Sequence, residues 1–145
     1  MSLSKRDIKI LQQLQQDERI SNQHLADEIG LFASPTCRKV RKLEEDDVIQ
    51  GNRAVINRKK IGLNVMIFVR VTIDSQSEAE ARKFEQEVMA LDNVVSCYSI
   101  GGDADFLLQV VAADMGAYVD FAMSVIRRLP MIKEMHGILV LKEIK

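Results

Sequence analysis

The chain is poor in the residues that staple, ligate or catalyse: it holds two Cys, two His, two Pro and no Trp. Cys37 and Cys97 are too few for a disulfide framework and, with His24 and His136, too scattered for a zinc site, so both thiols are expected to be buried and inert. The two histidines fall in different halves without a nucleophile partner, and neither a phosphate-binding loop nor a metal motif occurs. No catalytic residue and no metal ligand is assigned. His24 reads as a surface residue of a helix and His136 as a strand-end residue. Long hydrophobic runs are also missing: none approaches the roughly 18 to 20 residues that span a bilayer, and the first residues carry no apolar signal region. A cytoplasmic protein with no membrane partner is expected. At 145 residues the chain is too short for a Rossmann or barrel enzyme, while 47% hydrophobic and 28% charged residues are enough to build a core.

What is present is unevenly placed. The formal net charge is only −1, yet residues 1–63 carry twelve Lys/Arg against nine Asp/Glu, a net of +3, and residues 64–145 carry eight against twelve, a net of −4. Within the basic half, Arg38, Lys39, Arg41 and Lys42 fall inside five residues, and Arg53, Arg58, Lys59 and Lys60 form a second group. An anion should bind there, because recognition of a polyanion depends on where charge sits as well as on its sum.

The first half reads as three short helices. Ser4 caps one whose apolar stripe is Ile8, Ile10, Leu11 and Leu14. Ile20 and Ser21 then supply a hydrophobic staple and cap for a second, through Leu25, Ala26 and Ile29, which Gly30 ends. Ser34 followed by Pro35 predicts the start of a third helix, with Cys37, Val40 and Leu43 inward. Two helices joined by a tight turn, the second basic on its outer face, form the helix-turn-helix arrangement whose second helix enters the major groove of duplex DNA. The spacing turns Ser34, Thr36, Arg38, Lys39, Arg41 and Lys42 outward. Ser34, Thr36, Arg38 and Lys39 are placed near base edges and Arg41 and Lys42 nearer phosphates, with Pro35 part of the same face.

The second half switches between periods of two and 3.6 residues. Val65, Ile67, Val69, Val71 and Ile73 alternate along a strand; Ser77 begins a helix running to about Leu91 on Ala81, Phe84, Val88 and Leu91. Val94 to Ile100 and Phe106 to Ala112 are strands paired across the short 101–105 connection. Asp114 caps a further helix with Tyr118, Phe121, Ala122, Val125, Ile126 and Leu129 inward, ended by Pro130, and Gly137 to Leu141 form a last strand. Strand, helix, strand, strand, helix, strand is the ferredoxin-like βαββαβ plan, with both helices on one sheet face. Met66, Phe68 and the segment Ile138 to Leu141 make the other face apolar, so a homodimer packed sheet on sheet is expected to cover it.

With both halves placed, the chain resembles the Lrp/AsnC family of feast/famine regulators. The resemblance rests on Asp7 to Leu11, on Gly30-Leu31 followed by Ser34-Pro35 and the basic helix Arg38 to Leu43, on Val48-Ile49 running into Ile61 to Leu63, on Gly102 to Leu108, and on Val140 to Glu143. Two departures are the turn Leu31-Phe32-Ala33-Ser34-Pro35, where the family more often has Leu-Ser-Pro-Thr-Pro, and Asp47 in place of a common Gly. The resemblance implies an α+β chain: a winged helix-turn-helix of three helices over residues 1–52, a linker strand or turn over 53–63, and a βαββαβ effector-binding and oligomerisation domain over 64–145. It implies a sequence-specific DNA-binding transcriptional regulator, a homodimer assembling to a tetramer or octamer, whose assembly or DNA affinity responds to an amino acid or related small effector.

The resemblance further places the effector near Gly101, Gly102, Asp103, Ala104 and Asp105, at a subunit contact that also involves the last strand. The loop N–H groups can take a carboxylate, Asp103 or Asp105 can accept from an α-ammonium, and Met135, Ile138 and Val140 can enclose an aliphatic side chain. A divalent metal on Asp103 and Asp105 is the lesser reading, since hard cations want more oxygen ligands than two, and no cofactor is expected. The alternative function is an amino-acid-sensing interaction module without direct DNA binding, which the basic helix face disfavours.

Overall fold

A computed structural model describes residues 2–74, 77–129 and 131–145. It divides into two compact units, Met1–Val55 and Ile56–Lys145, a division that falls inside the stretch 53–63 expected to be linker.

The first unit contains α1 (Lys5–Gln16), α2 (Asn22–Ile29) and α3 (Ala33–Glu45). Ser4 and Asp7 close a capping box on α1: the Asp7 N–H donates to Ser4 Oγ and the Ser4 N–H to Asp7 Oδ2 at 2.8 Å. Ser21 caps α2 by accepting from the His24 N–H. Gly30 ends it in the left-handed region at φ 70°, and the Leu31 N–H returns to the Ala26 carbonyl at 2.9 Å, closing the 6→1 bond of a Schellman turn. The chain is thereby turned sharply into α3. Ile10, Leu25, Ile29 and Leu43, one or two from each helix, form the core of this unit.

The second unit opens with a 3₁₀ turn over Arg58–Ile61, where Arg58 Nη1 donates to the Leu63 carbonyl at 2.9 Å, so this cation of the second basic group is partly spent on the backbone. The elements that follow are β1 (Val65–Ile73), α4 (Glu78–Met89), β2 (Val94–Ser99), β3 (Phe106–Ala112), α5 (Met115–Ser124) and β4 (Ile132–Leu139). The sheet order is β2-β3-β1-β4 with every neighbouring pair antiparallel. Ile67, Val69 and Val71 of β1 meet Phe106, Leu108 and Val110 of β3 on one face, and Phe84, Val88, Tyr118, Ala122 and Ile126 cover them. Phe84 and Phe106 pack with ring centroids 4.8 Å apart. Gly137 is glycine for a reason of contact: a Cβ there would lie 2.6 Å from the Tyr118 hydroxyl.

Four expectations need correction. The third helix starts one residue earlier than Ser34, at Ala33, with Phe32 at its cap, so Pro35 falls later in the first turn, where a missing N–H still costs no intrahelical bond. The helix expected to run to Pro130, which lies outside the described residues, ends at Ser124 and is followed by a 3₁₀ turn over Ile126–Arg128. The last strand begins at Ile132 rather than Gly137 and ends at Leu139, with Val140 extending the pairing through one N–H to the Met66 carbonyl at 2.9 Å. Cys37 and Cys97 are half-buried instead of buried; burial, with Glu85 nearby, pushes the Cys97 thiol above its ordinary value.

Among the described residues no helix is long and apolar enough to cross a membrane.

Candidate functional site

The outer face of α3 is set by what its inner face buries. Thr36 is fully buried, as is Leu43, with Val40 half-buried between them. Thr36 was expected to face outward. Its hydroxyl instead donates to the Phe32 carbonyl at 2.9 Å, a bond one turn back along the chain that lets a hydroxyl sit in a core without an unsatisfied polar atom. The inward stripe is therefore Thr36, Val40, Leu43, rotated from the expected Cys37, Val40, Leu43, and Cys37 moves to the flank.

This rotation sorts the cations. Ser34, Arg38 and Arg41 recur at four and three residues, point directly away from the core and are exposed. Arg38 and Arg41 make no ion pair among the described residues. Lys42 is exposed on one flank and reaches Asp46 at 3.4 Å, and the half-buried Pro35 lies on the same flank. Lys39 differs from the rest. It is half-buried with its Nζ 3.5 Å from Asp7 Oδ1, and so ties α3 to α1. The backbone N–H of Ser4, with its hydroxyl and the Lys39 ammonium assisting, holds the Asp7 carboxyl below its ordinary value. Asp47, beyond the end of α3, takes φ 58°, a left-handed conformation that Asp tolerates better than most side chains, and so occupies the position where the family commonly has Gly.

Charge and helical spacing did not disclose Phe32. It is 83% exposed at the start of α3, and its departure from the family's turn is the one sign in the sequence that could have flagged it.

In the second unit the loop 101–105 joins β2 to β3 at one end of the sheet. Its two carboxylates are not equivalent. The Asp105 N–H donates to the Val71 carbonyl at 2.9 Å, and Asp105 Oδ2 accepts from the Ile73 N–H at 2.9 Å. Asp105 thus fastens the loop to β1. Asp103 is exposed and reaches Arg70 Nη1 through Oδ2 at 3.1 Å. Gly102 between the strands takes φ 110°, open to solvent on the side a Cβ would fill, and Ala104 is buried. Arg70 is the residue that the strand pattern registered only as polar; it stands on the uncovered face of β1 beside Leu107 of β3 and His136 of β4.

The apolar side chains assigned to the effector do not share a face. Met135 pairs with Val71 and packs on the helix-covered core, whereas Ile138 pairs with Phe68 on the opposite face, with Val140 two residues further along. Alternation along a strand forbids them from closing around one ligand. Ile138, 46% exposed, and Val140, half-buried, pair with Phe68 and Met66 toward the end of the sheet away from the loop, which meets β1 at Val71 and Ile73, so neither lies beside the 101–105 loop of its own chain. A 370 Å³ cleft lies near the loop, lined in part by Ser77, Glu85, Ser99 and Asp105.

The comparisons with known proteins cover both units. Residues 66–145 match the model of the Lrp/AsnC ligand binding domain, more than half of the chain. The chain belongs to the Lrp/AsnC family. Residues 3–50 match a winged helix-turn-helix DNA-binding model. This Lrp/AsnC chain is 34% identical to a leucine-responsive regulatory protein of Rhizobium meliloti over 96% of its own length and 89% of the relative's. It is likewise 34% identical to the Bkd operon transcriptional regulator of Pseudomonas aeruginosa, over 98% and 93%. Among solved structures, a transcriptional regulator of Neisseria meningitidis crystallised in complex with L-Met superposes with a TM-score of 0.94 at 31% identity, covering 99% of this chain and 93% of that one. The Lrp/AsnC chain is a transcriptional regulator with an N-terminal DNA-binding unit and a C-terminal ligand-binding unit.

Proposed function

We infer that the protein binds a specific duplex sequence through α3 and that an amino-acid effector at the 101–105 loop sets its assembly or its DNA affinity. The observation that carries the DNA reading is the outward-facing pair Arg38 and Arg41, without an ion-pair partner among the described residues, on a helix anchored by Thr36, Val40 and Leu43. Ser34 and Arg38, nearest the start of the helix, reach base edges; Arg41 and Lys42 reach phosphates. Lys39, engaged with Asp7, acts chiefly by fixing the angle of α3 on α1, and Pro35 stiffens the turn that presents Ser34. Phe32 offers an apolar contact of the kind that reads a thymine methyl.

The amino-acid reading draws support from the L-Met complex of the Neisseria meningitidis regulator, whose fold this chain shares. Gly101, Gly102, Asp103, Ala104 and Asp105 form the receiving loop. Met66, Phe68 and Ile138 on the uncovered sheet face suit a second copy packed sheet on sheet, and such dimers assemble to a tetramer or octamer in the cytoplasm. An effector that binds one assembly more tightly shifts the balance among them, by about 1 to 3 kcal/mol in typical cases.

The test is fluorescence anisotropy of the full-length protein on duplex DNA from upstream of its own gene and on a shuffled duplex of equal length. Preference for the upstream duplex, lost on Arg38→Ala plus Arg41→Ala, is the expected result. Equal affinity for both duplexes, unchanged by the substitutions, would favour an interaction module that senses amino acids without touching DNA.

A further inference from the structure

The orphaned atom of the second unit is Arg70 Nε: it is buried and has no acceptor among the described residues. The same guanidinium meets Asp103 through a single contact, Nη1 to Oδ2 at 3.1 Å. An arginine can grip a carboxylate with two parallel N–H groups, so Asp103 leaves most of the available binding unused. Asp103 is also the movable member of the pair. Its side chain is 81% exposed, Gly101 and Gly102 precede it with open space around both, and the far end of the loop is pinned at Asp105 by two hydrogen bonds to β1. Arg70 is held on the central strand, in register with Leu107 on one side and His136 on the other, with Ile138 diagonal to it across β4.

We propose that Arg70 is the carboxylate receptor for an α-amino acid with an apolar side chain, the ligand displacing Asp103 from the guanidinium while the released Asp103 accepts from the ligand's ammonium. This rests on the amino-acid reading above and adds to it the residue that takes the acid group, a role the loop N–H groups would otherwise fill. The exchange is balanced in charge: a zwitterion of net charge zero splits one ion pair and leaves two. It also accounts for the apolar surroundings. Leu107 and, beyond it on β2, Tyr98 lie beside Arg70 on the uncovered face, where an aliphatic or thioether side chain would bury apolar surface and a charged one would lose hydration without a partner. Ligand capture and movement of the 101–105 loop are then a single event.

The experiment is a thermal-shift panel of the proteinogenic L-amino acids on the full-length protein, followed by calorimetric titration of each stabilising amino acid and of its carboxamide. Wild type, Arg70→Met and Arg70→Lys are compared. The proposal expects at least one apolar amino acid to stabilise wild type, its carboxamide to bind about tenfold or more weakly, and Arg70→Met to raise Kd for the acid by a similar factor while binding acid and amide alike. Arg70→Lys recovers part of the loss, because a point charge replaces a fork. Because a merely structural role would not erase the preference for acid over amide, retention of that preference in Arg70→Met overturns the proposal and leaves the amino-acid reading standing. Arg70→Met that alters only the size of the assembly, with ligand affinity intact, assigns Arg70 to a subunit contact and also overturns it. A panel in which no amino acid stabilises wild type overturns both.

Discussion

Arg38 and Asp103 carry opposite charges in different units, and they differ more in what already holds them than in sign. Arg38 stands on a helix whose inner face is locked, and it has no ion-pair partner among the described residues; Asp103 sits on a glycine-preceded loop and is already paired with Arg70. The first arrangement is preformed for an anion and needs nothing to move. The second is an ion pair that, on the proposed reading, a ligand opens. If the proposed roles hold, the DNA-binding unit keeps its cations ready and the adjustable part lies in the ligand-binding unit.

Four outcomes would break or sharpen that contrast. The largest concerns the anchor of α3: Leu43→Ala empties a fully buried position and is expected to cost about 2 to 5 kcal/mol, read as a lowered urea midpoint with loss of helical signal from the first unit. A smaller cost would mean that α3 is less firmly held than the contrast requires. Next comes Asp105→Ala, which removes the acceptor of the Ile73 N–H and is expected to cost about 1 to 3 kcal/mol in thermal unfolding. Asp103→Ala breaks only an exposed ion pair and is expected to stay under about 1 kcal/mol. Equal losses at the two loop carboxylates would erase the distinction between a fastened and a movable end. The smallest effect is at Asp7. Its carboxyl titrates below the ordinary value when folded, so its contribution is fully present above the unfolded carboxylate range and is lost as pH falls through the lowered folded value. Melting curves of wild type and Asp7→Asn should therefore differ at neutral pH and converge in strong acid; a gap that persists there would point to a loss of packing instead of charge.

Strict periodicity was the most legible signal. β1 and β3 fall at the bounds their alternation predicts, because each is a central strand with one face buried under helices. The start of β4 is not legible because it is an edge strand, largely exposed along its length, so Lys133, Glu134 and His136 carry no penalty and the alternation fades. The outward placement of Thr36 failed on chemistry: a residue classed as polar satisfies itself on the Phe32 carbonyl and behaves as core. Lys39 shows a related limit, since its partner Asp7 is 32 residues away in the chain and no local pattern joins them. At the loop, turn composition located 101–105 but could not divide its labour. Only the β1–β3 register brings Asp105 to Val71 and Ile73, and Asp103 to Arg70.

The account's central claim, that α3 presents free cations to duplex DNA, is tested most directly by the salt dependence of duplex affinity for wild type and for Arg38→Ala plus Arg41→Ala. Each phosphate contact contributes about 0.9 to the slope of log affinity against log salt. A steep fall is expected for wild type, with a slope shallower by roughly one per copy for the double variant, which loses the Arg41 phosphate contact, its melting temperature unchanged. Identical slopes for the two proteins, or an affinity for duplex that does not vary with salt, would contradict it.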